Sequence, residues 1–256
     1  VLSGIVANYS VIYQEQDIII PEASDVAFHF AADFGVFNDS IGGTLADSND
    51  TVAGWQNQGN EAENAVQSDV ALRPRFRTGG LNGKPYIEGI RAVPTYFENL
   101  QAIKQGLGTL TWQEWTSFAL VVDNISDTHF CGLLGDGSKT TFYFRPFEGA
   151  AIHWEKEDFR FGTISGPTVI VMTKEFDTRI TAYFNGARLS ISDSRNPPSS
   201  ASASAPFLRT TALPEPADRH FSGHLYEFVA WRNFQRLTES QMVDLSTQLL
   251  SKYNIS

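Results

Sequence analysis

Six segments decide the fold: SFALVVDN (117–124), HFCGLLG (129–135), TTFYFRPF (140–147), AAIHWEKEDFRFG (150–162), TVIVMTKEF (168–176) and RITAYFNGARLSIS (179–192). Each is short, rich in β-branched or aromatic residues, and bounded by Gly, Asp or Asn, which is the pattern of successive antiparallel strands. Within the last of them, Asn185 and Gly186 suit a type I′ hairpin turn, because both central residues of that turn need positive φ.

Outward from this block the chain keeps its β character. Residues 26–86 mix short apolar pieces with turn residues, in AFHFAADFGVF (27–37), NDSIGGTLADSND (38–50) and TVAGWQNQGN (51–60). DSRNPPSSASASAP (193–206) is of low complexity and reads as an exposed loop inside the domain. HFSGHLYEFVAW (220–231), which follows it, must still find a sheet. Only the end changes period. In LTESQMVDLSTQLLSKYN (237–254) the apolar residues Met242, Leu245, Leu249 and Tyr253 recur at helical spacing. Thr238 and Gln241 form a capping box, and Lys252 faces the negative end of the helix. A helix is therefore expected over about 238–252.

The bulk properties narrow the function classes. The 256 residues are 42% hydrophobic and 19% charged, with 19 Phe against 2 Met, enough for one sizeable core. A formal charge of -10 without clustered Lys or Arg argues against nucleic acid and against an anionic membrane surface. No run approaches the roughly 18 apolar residues of a membrane span. VLSGIVANYS (1–10) lacks the basic start of a secretory leader, which leaves export open. Cys131, the single cysteine, lies in an apolar strand-like run and reads as a buried, inert thiol.

Several segments together resemble the LamG-like, concanavalin A-like lectin-glucanase domains of bacterial surface and phage virion proteins. The opening resemblance lies in Trp55, then Arg73-Pro74, then Asn82-Gly83-Lys84-Pro85. The middle is similar in SFALVV and TAYFNGARL, and the close in Gly223, Glu227 and Lys252-Tyr253, with Asn254 where the family tends to have Gly. The similarity covers residues 26–256. It implies an all-β jelly-roll sandwich of two antiparallel sheets with one C-terminal helix. It leaves function open, since one fold hosts lectins, glucanases, lyases and phage structural proteins.

Candidate chemistry is sparse. Enzymes of this fold carry carboxylates at even spacing on one strand, where alternate side chains share a face. HWEKEDF (153–159), read as one strand, puts Glu155 and Glu157 on one face and Asp158 on the other, without the third carboxylate of the enzyme pattern. His153 lacks the Gln partner of the lyase pattern. The expectation is therefore no catalytic residue. His220 and His224 have no third metal ligand placed beside them. Calcium, which many relatives hold at a rim, has hard-oxygen candidates in Asp47, Asn49 and Asp50 and in Asp123, Asn124 and Asp127, all equally suited to turns. If Glu148-Gly149 forms a two-residue turn, Tyr143 stands opposite Trp154 and Arg145 opposite Ile152. That would make a Tyr143–Arg145–Trp154 patch suited to a sugar face or to a protein partner.

Residues 1–25 lie outside the resemblance. VIYQEQDIIIPEAS (11–24) reads as an arm that either pairs with its own sandwich or augments a neighbour's sheet. Three readings result. The first is a non-catalytic surface module: a virion component (head decoration or tail fibre) or an extracellular adhesion domain. Its arm would dock on other virion or surface proteins or form a homo-oligomer. The second is a carbohydrate-binding module of an extracellular protein, with glycans as partners. The third is a polysaccharide hydrolase or lyase.

Overall fold

The computed structural model describes residues 18–90, 95–100, 117–125, 131–135, 141–145, 151–154, 157–160, 164, 166–174, 180–189, 205–208, 220–231 and 236–256. Its strands begin with β1 (Val26–Ala31), β2 (Val36–Phe37), β3 (Gly54–Trp55), β4 (Ala65–Val66), β5 (Arg75–Arg77) and β6 (Tyr86–Gly89). They continue with β7 (Phe97–Leu100), β8 (Ser117–Asp123), β9 (Cys131–Gly135), β10 (Thr141–Arg145), β11 (Ala151–Trp154) and β12 (Glu157–Arg160). The last are β13 (Thr168–Lys174), β14 (Ile180–Phe184), β15 (Ala187–Leu189), β16 (Ala205–Phe207) and β17 (Gly223–Trp231), followed by the helix α1 (Glu239–Tyr253).

The architecture is a jelly-roll sandwich. One sheet runs β15-β14-β13-β8-β17-β6-β5, and β1 also pairs with β17. The other runs β12-β11-β10-β9-β16-β7, and β2-β3-β4 form a small third sheet. All pairings within the two large sheets are antiparallel. Between them lies an aromatic core in which Phe30 sits 5.3 Å from Trp55 and 5.4 Å from Phe207, and Phe207 5.3 Å from Phe228. Cys131 belongs to this core, as its apolar context indicates.

At β8 the first sheet is buried on both faces, which explains the unbroken apolar run of that strand. Phe118, Leu120 and Val122 face the sandwich core, while Ala119 and Val121 join a second core beneath α1. That second core takes Met242, Leu245, Leu249 and Tyr253 from the helix, the stripe read from the sequence. The Thr238–Gln241 capping box forms, and Asn254 ends the helix in the left-handed conformation at φ 51°. The β14–β15 hairpin turns on Asn185 and Gly186 at φ 45° and 77°, as a type I′ turn requires.

Three expectations change. HWEKEDF is two strands: Trp154 pairs with Glu157, so the chain reverses between them, and Glu155 lies outside the described residues. The low-complexity stretch is strand at its end, where Ala205–Phe207 bridges β7 and β9. Of the N-terminal arm, residues 18–20 are no strand; they run along α1 of their own chain. Ile18 and Ile20 pack on the core beneath the helix, Gln248 Oε1 accepts from Ile19 N at 2.6 Å, and Trp231 Nε1 donates to Pro21 O at 2.7 Å. Residues 1–17 lie outside the described residues.

Candidate functional site

Three places concentrate chemistry-bearing residues, and each is created by the strand order. The first is the β10-β11-β12 array of the second sheet. There Phe142 pairs with Trp154, Tyr143 with His153, Phe144 with Ile152 and Arg145 with Ala151. This register is one residue away from that of a two-residue turn at 148–149, so Trp154 stands on the opposite face of the ladder from Tyr143 and Arg145. The expected Tyr143–Arg145–Trp154 patch is therefore divided. Phe144 is paired with Cys131, itself in the sandwich core, so Trp154 shares a ladder face with a core residue. The alternate face gains other residues in exchange. His153 pairs with Asp158 and Ala151 with Arg160, so Tyr143, Arg145, His153, Asp158 and Arg160 occupy one face of three adjacent strands.

The second place is a buried polar knot under α1. A bulge in β17 between Leu225 and Glu227 sets both Tyr226 and Glu227 on the helix side of the sheet. Glu227 is 1% exposed, and its carboxylate accepts from Tyr253 Oη at 2.8 Å and Lys252 Nζ at 3.1 Å, with His29 Nε2 at 2.8 Å from its other oxygen. Lys252 also lies 3.3 Å from Asp33, which Lys84 approaches to 3.8 Å. Burial alone would raise the Glu227 pKa; the His29 hydrogen bond, the Lys252 charge and the Tyr253 hydroxyl outweigh it and hold the carboxyl below its ordinary value. Lys252 is held above its ordinary value, because Glu227 and Asp33 outweigh its own desolvation. Glu227 and Lys252-Tyr253, three of the residues that carried the family resemblance, thus meet at one point. With its carboxylate enclosed and fully paired, Glu227 serves to lock helix to sheet.

The third place is the outer face of β8, β17, β6 and β5. Across these strands Asp123 pairs with His224, His224 with Glu88, and Glu88 with Arg75; Tyr86 pairs with Arg77 in the next row. Tyr86 lies 4.1 Å from the His224 ring and 5.3 Å from Tyr226. Arg77 Nε donates to Glu88 at 2.7 Å, and Asp123 Oδ2 lies 3.9 Å from His224 Nδ1. Desolvation lowers the His224 pKa against the opposing pull of Asp123 and Glu88. Desolvation also raises the Tyr86 phenol, and pushes Tyr226 up to about 12. Gly223, beside His224, has φ 151°, and a Cβ there would lie 2.8 Å from Ile125 Cδ1.

The hard-oxygen candidates take part in local hydrogen bonds. Asp50 Oδ2 accepts from Asn38 Nδ2 at 2.8 Å and from the Asp47 amide at 2.9 Å, and those bonds hold its carboxyl below the usual range. Asn49, at φ 82°, meets Arg77. Asp123 Oδ1 accepts from the Asn124 amide at 2.7 Å, and Asp127 lies outside the described residues. Among the described residues no three His, Cys, Asp or Glu side chains are grouped to hold a metal ion, and no helix is long and apolar enough to cross a membrane. His220 is buried in the segment before β17, whereas His224 belongs to the half-buried row.

No family model matches the sequence, and no curated protein matches it. Solved structures do. A Trypanosoma rangeli sialidase in complex with 2,3-difluoro-KDN aligns at 11% identity over 91% of this chain and 34% of its own, with TM-score 0.50. It is a likeness of fold. Domain 4 of an extracellular arabinanase from Geobacillus stearothermophilus, in complex with arabinotriose, aligns at 16% identity over 87% of this chain and 98% of its own, TM-score 0.46. The CBM40 domain of a Ruminococcus gnavus sialidase aligns at 13% identity over 58% of this chain and 91% of its own, TM-score 0.43. The chain spans about a third of the length of the sialidase it matches.

Proposed function

We propose that this chain is a non-catalytic carbohydrate-binding domain of LamG-like type, acting at a cell surface or outside the cell. The observation that carries the reading is the shared face of β10, β11 and β12, where register assembles Tyr143, Arg145, His153, Asp158 and Arg160. An aromatic ring, guanidinium donors, a carboxylate acceptor and an imidazole together meet the needs of a sugar, which offers a C–H face for stacking and hydroxyls at its edge. The carboxylate pattern of the fold's enzymes needs HWEKEDF to be one strand, whereas β11 ends at Trp154 and β12 begins at Glu157, which pairs back on it. The virion-component reading rested in part on an uncovered arm. Ile18 and Ile20 pack on their own domain while Ile19 stays exposed, which weakens that reason for the part of the arm at 18–20.

A glycan array probed with the intact chain tests the proposal. Binding to a defined glycan is expected, with Tyr143→Ala and Arg145→Ala each weakening it at least about 10-fold, the loss of one good stacking or charged contact. Retention of no glycan, or binding indifferent to both substitutions, would overturn it.

A further inference from the structure

The helix covers the outer face of the first sheet over β13 and β14. Toward β5 and β6 that face carries the row Asp123–His224–Glu88–Arg75, with Tyr86 and Arg77 beside it. A face kept only for solubility would extend its charges into water. Here the side chains of His224, Asp123, Glu88 and Arg77 are 18–25% exposed. Tyr86 is braced by His224 and Tyr226, and Arg77 is fixed by Glu88 and Asn49. The groups are held in place yet remain open to solvent.

Their chemistry selects a ligand class. Two carboxylates oppose an anion, while Arg75 and Arg77 in the same strip oppose a simple cation. The ligating groups do not form a metal cluster. A mixed row of acceptors and donors around a half-buried ring suits a neutral molecule rich in hydroxyls. The 3.9 Å gap between His224 Nδ1 and Asp123 Oδ2 is too long for a direct hydrogen bond and leaves both atoms able to engage a hydroxyl. We propose that this strip is a second saccharide-binding site, on the opposite sheet from the first, for a neutral pyranose or furanose unit. The domain would then hold two glycan segments at once. This rests on the carbohydrate-binding reading for its ligand class and on its own residues for its place.

Histidine side chains report the two sites separately, since His153 lies on the first face and His224 in this strip. The intact chain, carrying ¹³C-labelled histidine, is titrated with cellotriose, xylotriose, maltotriose, mannotriose and arabinotriose while imidazole ¹H–¹³C correlations are followed. Peaks are assigned with His153→Gln and His224→Gln. The expected result is a saturable shift of His224 with at least one sugar, weakened at least about 10-fold by Tyr86→Ala and by Asp123→Asn in variants whose amide spectra stay native. A His224 signal unmoved by every sugar, or moved equally in both variants, would overturn the second site. If His153 responds while His224 does not, the carbohydrate-binding reading stands and this inference fails. The reverse pattern sustains this inference and overturns the first face.

Discussion

Replacing Glu227 by Gln isolates the charge at the centre of the helix–sheet junction while keeping its shape. The carboxylate takes three hydrogen bonds, from His29, Lys252 and Tyr253, at 2.8, 3.1 and 2.8 Å. A Gln side chain keeps one acceptor oxygen and turns the other position into a donor, which His29 Nε2 can meet only by changing tautomer, and it removes the charge beside Lys252, leaving that cation with Asp33. One hydrogen bond to a charged group contributes about 1.5–3 kcal/mol, and breaking a buried pair from one side costs about 3–5 kcal/mol. A loss near 3 kcal/mol is expected, a fall of roughly 6–12 °C in Tm for a chain of this size. Guanidinium unfolding of both proteins across pH separates charge from shape. The depressed pKa of Glu227 means that its contribution is complete above the ordinary carboxylate value of 4.5 and is lost as pH falls through the folded value. The raised pKa of Lys252 means that its contribution is complete below 10.5 and is lost as pH rises through the folded value. The gap between wild type and Glu227→Gln should therefore be widest near neutrality and shrink below about pH 4. A difference under about 0.5 kcal/mol at pH 7, the size of a surface ion pair, or one unchanged between pH 3 and 8, would refute this account of the knot.

Other substitutions probe the same junction and its neighbour. Leu245→Ala and Leu249→Ala should each lower stability by about 2–4 kcal/mol in chemical denaturation, since both leave a cavity beneath α1. Ser246 is fully buried, and its Oγ has no hydrogen-bond partner among the described residues. Ser246→Ala should therefore leave the unfolding midpoint unchanged or raise stability by up to about 1 kcal/mol; a loss above that would reveal a bonded hydroxyl. Gly223→Ala should lower stability by about 2–3 kcal/mol, because the added methyl meets Ile125 Cδ1 and the Asn124 carbonyl at a φ that disfavours L-residues. A calorimetric Tm within a degree of wild type would show that the loop before β17 yields freely.

What was legible in the sequence was local. Thr238, Gln241 and the stripe at Met242, Leu245 and Leu249 specify α1 within one segment. Asn185-Gly186 specifies its hairpin because only certain residues accept positive φ. The β11–β12 hairpin was hidden for the converse reason: Glu155-Lys156, between its strands, carries no Gly, Pro, Asn or Asp to mark a turn. The Tyr143 patch failed at the register, where one residue exchanges faces for every side chain. The two polar clusters depend on long-range pairing. His29 meets Glu227 across 198 residues, and Tyr86 meets His224 only because β6 and β17 are neighbours. The pattern around Gly223, Glu227 and Lys252-Tyr253 was the one signal pointing to the knot. For the strip, His224 was visible as a histidine without visible partners.

A non-catalytic glycan-binding sandwich takes up its ligand and leaves it whole. Isothermal titration of the intact chain with the glycan selected on an array, followed by mass spectrometry of the recovered ligand, tests it directly. Saturable heat is expected, lost in the Tyr143→Ala, Arg145→Ala double variant, with the oligosaccharide recovered at its starting mass. Shortened oligosaccharides, or no binding heat from the wild-type chain, would contradict it.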